Sequence, residues 1–253
     1  MNVILDLDGV VWLAERPIRG SPQAVARLRS AGHRVLFVTN NSNPTVADLV
    51  AKLAGMGVEA EAGEIVNSSR AAASLIEPGH AALVCGGAGV REALRERGVE
   101  PVDEAGPGGV DAVIVGFHRE FDYRRLTAAF RAVIAGAQLI GTNDDPTYPT
   151  PDGPVPGAGS LLAAVATAAG VTPRVAGKPF APMADLVRTH LGGDLRETVL
   201  VGDRPSTDGR MAQLLGVPFY LVLTGVTSGD GPLDDVETVL AVPDLAAAVQ
   251  ELA

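Results

Sequence analysis

The chain has 253 residues, 47% of them hydrophobic, and a formal net charge of −10. That balance excludes a nucleic-acid partner, since phosphate backbones are held by basic surfaces and no Lys/Arg stripe interleaved with aromatics occurs. A single cysteine, Cys85, excludes an internal disulfide. With neither a basic n-region nor a long apolar run, the expectation is a cytoplasmic protein that does not touch membranes.

Val3 to Leu5 is a continuous apolar run, the pattern of a strand covered on both faces, and it leads directly into Asp6 and Asp8. Side chains along an extended segment repeat every two residues, so both carboxylates point to one side, and Gly9 permits a sharp departure after them. A helical pattern follows over Pro22 to Ser30. The next buried-strand run begins at Arg34 and stops at Thr39, Asn40 and Asn41, which offer hydrogen-bond donors without charge.

Thr45 to Leu53 is again helical. Strands are expected at Ala81 to Val84, where Cys85 packs at the end, and at Val110 to Val115 and Gln138 to Ile140. Helices are expected at Arg124 to Ile134 and Leu161 to Ala169. This stretch separates the Thr39 cluster from the next polar one by more than a hundred residues and reads as an inserted α/β domain. Val175 to Pro179 then places Lys178 in a fixed loop. After a helical pattern at Pro182 to Leu191, the strand from Thr198 ends in Gly202 and Asp203. Asp208 lies five residues further on, at the expected start of the helix Arg210 to Leu215.

Alternating strands and helices imply a parallel α/β sheet, and such sheets gather chemistry at the carboxyl ends of their strands. Taken singly, each cluster also reads as a turn, a helix cap or a surface charge. Together they place four carboxylates, an ammonium and several neutral donors at strand ends. Acids so crowded repel one another unless a cation neutralises them, and hard carboxylate oxygens select Mg²⁺. The four histidines, His33, His80, His118 and His190, show no metal-ligand spacing.

The series Asp6-Leu7-Asp8-Gly9, Thr39-Asn40-Asn41, Gly177-Lys178-Pro179 and Gly202-Asp203 through Asp208 resembles the haloacid-dehalogenase-like (HAD) phosphohydrolases. Within them it is similar to the NagD-like, p-nitrophenyl-phosphatase-type branch. Further branch features are Asn67-Ser68-Ser69, Val115-Gly116-Phe117, Thr142 to Pro146, Pro156 to Ser160 and Leu223 to Thr227. Val10 departs from the threonine of many relatives. The resemblance implies a doubly wound, Rossmann-like α/β core formed by residues 1–78 and 174–253, with a smaller α/β cap at 79–173.

It also implies roles. Asp6 would be the nucleophile that forms an aspartyl-phosphate, and Asp8 the general acid/base. Asp6, the Asp8 carbonyl, Asp203 and Asp208 would hold Mg²⁺. Thr39, Asn40 and Lys178 would bind the phosphoryl group, and Asn41, Asp145 and Tyr148 would read the rest of a small phosphorylated metabolite. The loop Asn143 to Gly153 matches the branch's specificity loop, and a homodimer through the cap is implied as well. Arg204 receives no role.

Two other classes remain open at this stage. A catalytically silent Mg²⁺/phosphate-binding or phospho-accepting module could keep Asp6, Lys178 and the metal acids, although it would gain nothing from Asp8. A dinucleotide-binding oxidoreductase is suggested by Gly86-Gly87-Ala88-Gly89 and Gly157-Ala158-Gly159, but neither completes the Gly-x-Gly-x-x-Gly pattern.

Overall fold

The computed structural model describes residues 1–148, 150, 153–227, 236 and 240–252. Of the loop Asn143 to Gly153, Pro149, Pro151 and Asp152 therefore lie outside the described residues. The chain forms two compact units, Met1–Thr39 with Ala47–Val66 and Lys178–Ala253, and Asn40–Val46 with Asn67–Gly177.

The first unit is built on a six-stranded sheet. Its spatial order is Leu240–Val242, Phe219–Val222, Thr198–Gly202, Asn2–Leu5, Arg34–Thr39 and Ile65–Asn67. Asn2–Leu5 runs parallel to both of its neighbours, with Leu5 opposite Val201 on one side and Phe37 on the other. Val3, Ile4 and Leu5 are completely buried, as the uninterrupted apolar run predicts for a central strand. From this strand the chain builds the sheet outward first in one direction and later in the other. The order therefore reverses between Asn2–Leu5 and Thr198–Gly202, the kind of switch point where open α/β sheets bind ligands.

Local chemistry sets the helix starts. Proline occupies the first turn of Ser21–Ser30 and of Ala181–His190, where a missing N–H costs nothing. Asp244 caps Leu245–Glu251 by accepting from the Ala247 N–H at 2.9 Å.

The second unit has its own parallel five-stranded sheet, ordered Arg174–Val175, Gln138–Gly141, Ala112–Val115, Ala81–Cys85 and Glu100–Val102. Leu83, Cys85, Val113, Val115, Leu139, Leu162 and Val165 share one buried cluster. Cys85 thus packs as a core residue, and burial pushes its thiol up to about 12. The helix Ala88–Arg97 ends at Gly98, whose φ of 77° is the left-handed closing conformation that glycine adopts freely. Against it packs Ser68–Ala73. This pairing draws the unit's boundary back to Asn67, ahead of position 79, while its other end reaches Gly177. Among the described residues, no helix is long and apolar enough to cross a membrane.

Candidate active site

Asp6 follows the central strand, and its N–H donates to the Val201 carbonyl at 3.0 Å. Asp203 follows the neighbouring strand, Thr198–Gly202. Asp208 lies in a wide π-type turn, Pro205–Gly209, that precedes the helix Arg210–Leu215 rather than beginning it. Such turns concentrate at functional sites. Ligand atoms of Asp6, Asp203 and Asp208 all come within 4.8 Å of one another, and all three residues are buried.

Lys178 is held among them at 3% exposure. Its Nζ donates to Asp6 Oδ1 at 2.7 Å, to Asp208 Oδ1 at 2.6 Å and to the Val38 carbonyl at 3.2 Å. Burial alone would lower the lysine, but attraction to Asp208 and Asp6 outweighs it and holds the ammonium above its ordinary value. For Asp6 the balance goes the other way. Burial raises it well above an ordinary carboxyl despite Lys178, and Asp208, Asp203 and Asp8 add to the rise. Burial and then Asp208 push Asp203 up to about 6, against the opposing pull of the Val226 N–H, Arg204 and Lys178. Three buried acids around one ammonium leave negative charge uncompensated. The donor set is all hard oxygen, so these residues fit a Mg²⁺ ion.

Close backbone packing frames the acids. At Gly9, φ is 83° and a Cβ would stand 2.5 Å from Asp203 Oδ2. Gly225 lies so near the Asp203 carboxylate, and Gly202 so near Asp208, that neither leaves room for a side chain. The segment 223–227, marked in the sequence without a role, has one here. Val226 N–H donates to Asp203 Oδ2 at 2.7 Å, and Thr224 Oγ1 donates to the Gly9 carbonyl at 2.6 Å. The Arg204 N–H donates to Asp208 Oδ2 at 3.2 Å, which gives its main chain a place in the site.

The side chain of Asp8 stands outside this carboxylate cluster. Its Oδ1 accepts from Trp12 Nε1 at 2.9 Å. Thr39 ends the adjacent strand and is buried. Asn40, Asn41, Asp145 and Tyr148 belong to the second unit. There the Asn40 carbonyl accepts from Ser68 Oγ at 2.7 Å and Asn143 Nδ2 at 2.9 Å, and Asn40 Nδ2 donates to Asp145 Oδ2 at 3.4 Å. Asn41 Oδ1 accepts from the Asn43 N–H at 3.2 Å. Tyr148 stacks on Phe117, with ring centroids 4.5 Å apart. Sequence reading marked Thr224 and Val226 only as members of a branch segment and missed Trp12, whose signal is that it is the one tryptophan of the chain, four residues after Asp8.

Residues 3–100 match the profile of haloacid dehalogenase-like hydrolases, and residues 175–248 match that of HAD-hydrolase-like proteins. A D-glycerol 3-phosphate phosphatase of Mycobacterium tuberculosis is 38% identical over 89% of this chain, which spans 64% of that protein's length. The crystal structure of a glycerol phosphate phosphatase from the same organism, in complex with magnesium, superimposes with a TM-score of 0.87 at 34% identity. It covers 96% of this chain and 74% of its own. A p-nitrophenyl phosphatase from Archaeoglobus fulgidus gives a TM-score of 0.90 at 30% identity, covering 99% of this chain and 98% of its own.

Proposed function

Because the chain belongs to the haloacid dehalogenase-like hydrolases, we propose that it is a Mg²⁺-dependent phosphatase of small phosphomonoesters that works through an aspartyl-phosphate on Asp6. The observation that carries this reading is the joining of Asp6, Lys178, Asp203 and Asp208 at one buried point. Asp6, Asp203, Asp208 and the Asp8 carbonyl would hold the ion, which when bound neutralises the acids and offsets charge on the transferring phosphoryl group.

A carboxylate oxygen of Asp6 bonds to phosphorus as the bond to the leaving oxygen breaks, and Asp8 gives that oxygen its proton. The alcohol departs. Asp8, now a carboxylate, takes a proton from water as the water oxygen bonds to phosphorus and the Asp6–phosphorus bond breaks. Phosphate is released and both acids are restored. Lys178, the Thr39 hydroxyl and the Asn40 main-chain N–H hold the non-bridging oxygens through both displacements.

Residues 79–173 act as the cap that selects the leaving group, with Asp145 and Tyr148 of its loop and Asn41 outside it as specificity residues. The Tyr148–Phe117 stack supports this, since it fixes an aromatic face in that unit. A homodimer through the cap belongs to the same reading, supported by exposed Tyr123 and Ile134 at the two ends of one helix.

The test is phosphate release from p-nitrophenyl phosphate and from a panel that includes glycerol 3-phosphate. Activity should require Mg²⁺, vanish with EDTA and be lost in Asp6→Asn. Full activity in that variant would reject the assignment.

A further inference from the structure

Trp12 is 2% exposed and has no place in the machinery assigned above. It opens a short hairpin, Trp12–Leu13 paired antiparallel with Arg16–Pro17, which leaves the nucleophile strand through Gly9. The Gly9 N–H donates to the Trp12 carbonyl at 2.7 Å, so the hairpin is tied to the turn that presents Asp8. From the helix Val46–Gly55, Lys52 clamps the hairpin. Its Nζ donates to the Ala14 carbonyl at 2.9 Å and to Glu15 Oε1 at 3.3 Å, and stands 4.7 Å from the centroid of the Trp12 ring. Ala14 is itself held at a φ of 50°, a conformation non-glycine residues seldom adopt. A buried indole, a cation over its face and a tied turn all hold Nε1 at Asp8 Oδ1.

We propose that Trp12 is a positioning residue for the general acid/base, fixing Asp8 through Oδ1 so that the catalytic proton travels on Oδ2. This rests on the phosphatase reading above. An indole N–H donates and cannot accept, and the carbonyl oxygen of a carboxyl group accepts better than its hydroxyl oxygen, so a hydrogen bond at Oδ1 favours the proton on Oδ2. Oδ2 then gives that proton to the leaving oxygen as the phosphorus–oxygen bond breaks, and recovers one from water in the second displacement. Such positioning matters most where the leaving oxygen is a poor one, as in an alkyl phosphate, and least for p-nitrophenolate.

Trp12→Phe removes the donor and keeps an aromatic ring. Measured as kcat/KM, which reports formation of the phosphoenzyme, it should fall about tenfold on glycerol 3-phosphate and about twofold or less on p-nitrophenyl phosphate. In an Asp8→Asn background the same substitution should cost nothing further on either substrate. Lys52→Met leaves the indole in place and loosens the hairpin, and should give a smaller loss with the same substrate preference. It carries the test if Trp12→Phe does not fold. Equal losses on both substrates, or a loss that persists in the Asp8→Asn background, would overturn the proposal. Failure of the phosphatase reading looks different: the unsubstituted protein would release no phosphate, or Asp8→Asn would show no leaving-group preference, and the proposal would fall with it.

Discussion

Replacing Lys178 with methionine keeps an unbranched, slightly shorter side chain and removes the ammonium from its contacts with Asp6 and Asp208. The Asp6 carboxylate left there at 8% exposure has no solvent to replace its partner. It takes up a proton instead. With an ordinary value of 3.8, holding that proton costs about 1.4 kcal/mol for every pH unit above it. Because burial already raises Asp6 with Lys178 in place, the added loss of stability is bounded at about 4 kcal/mol at pH 7 and about 1.6 kcal/mol at pH 5, the former in line with the cost of orphaning one member of a buried pair. The sign follows from the raised folded-state value: the penalty grows with pH and disappears toward 3.8, where the unfolded chain is protonated too. Lys178 itself stays charged throughout this range and adds no slope. Urea unfolding in EDTA at the two pH values measures the difference. Equal losses at pH 5 and pH 7, or a loss below about 1 kcal/mol at pH 7, would refute the reasoning.

Mg²⁺ affinity should weaken as pH falls, because ligands must be deprotonated to bind. With Asp203 at about 6, its ionised fraction drops from about nine-tenths at pH 7 to about one-tenth at pH 5, a loss of roughly tenfold in affinity. Raised Asp6 pushes in the same direction. Calorimetric titration with Mg²⁺ would show this, and unchanged affinity would contradict it. Gly225→Ala places a methyl group against Asp203. It should weaken Mg²⁺ binding by about tenfold or more while the protein stays folded, as judged by calorimetry beside thermal unfolding.

The central strand and its neighbours were legible because Val3 to Leu5 and Val199 to Val201 are unbroken apolar runs, and Asp6 and Asp203 end them directly. The helices Ser21–Ser30, Val46–Gly55, Tyr123–Ile134 and Ala181–His190 lie where apolar periodicity placed them, to within a few residues. Short elements were less visible. Strands of two or three residues such as Trp12–Leu13 and Thr147–Tyr148 carry too few positions for a period of two to emerge. The boundary at Asn67 depends on how Ser68–Ala73 packs, and no local pattern encodes it. At the site, the charged participants were readable from residue type at strand ends. The frame around them was not, because Val226 contributes a main-chain N–H and Gly225 an absent side chain. Neither leaves a mark in composition.

Asp8→Asn should form the phosphoenzyme from p-nitrophenyl phosphate, whose leaving group needs little acid assistance, and hydrolyse it slowly for want of a base. Acid quenching followed by mass spectrometry should therefore find one phosphoryl group on Asp6, labile to hydroxylamine. Phosphate turnover by this variant with Asp6 unlabelled at every time, or with the label on another residue, would contradict the account.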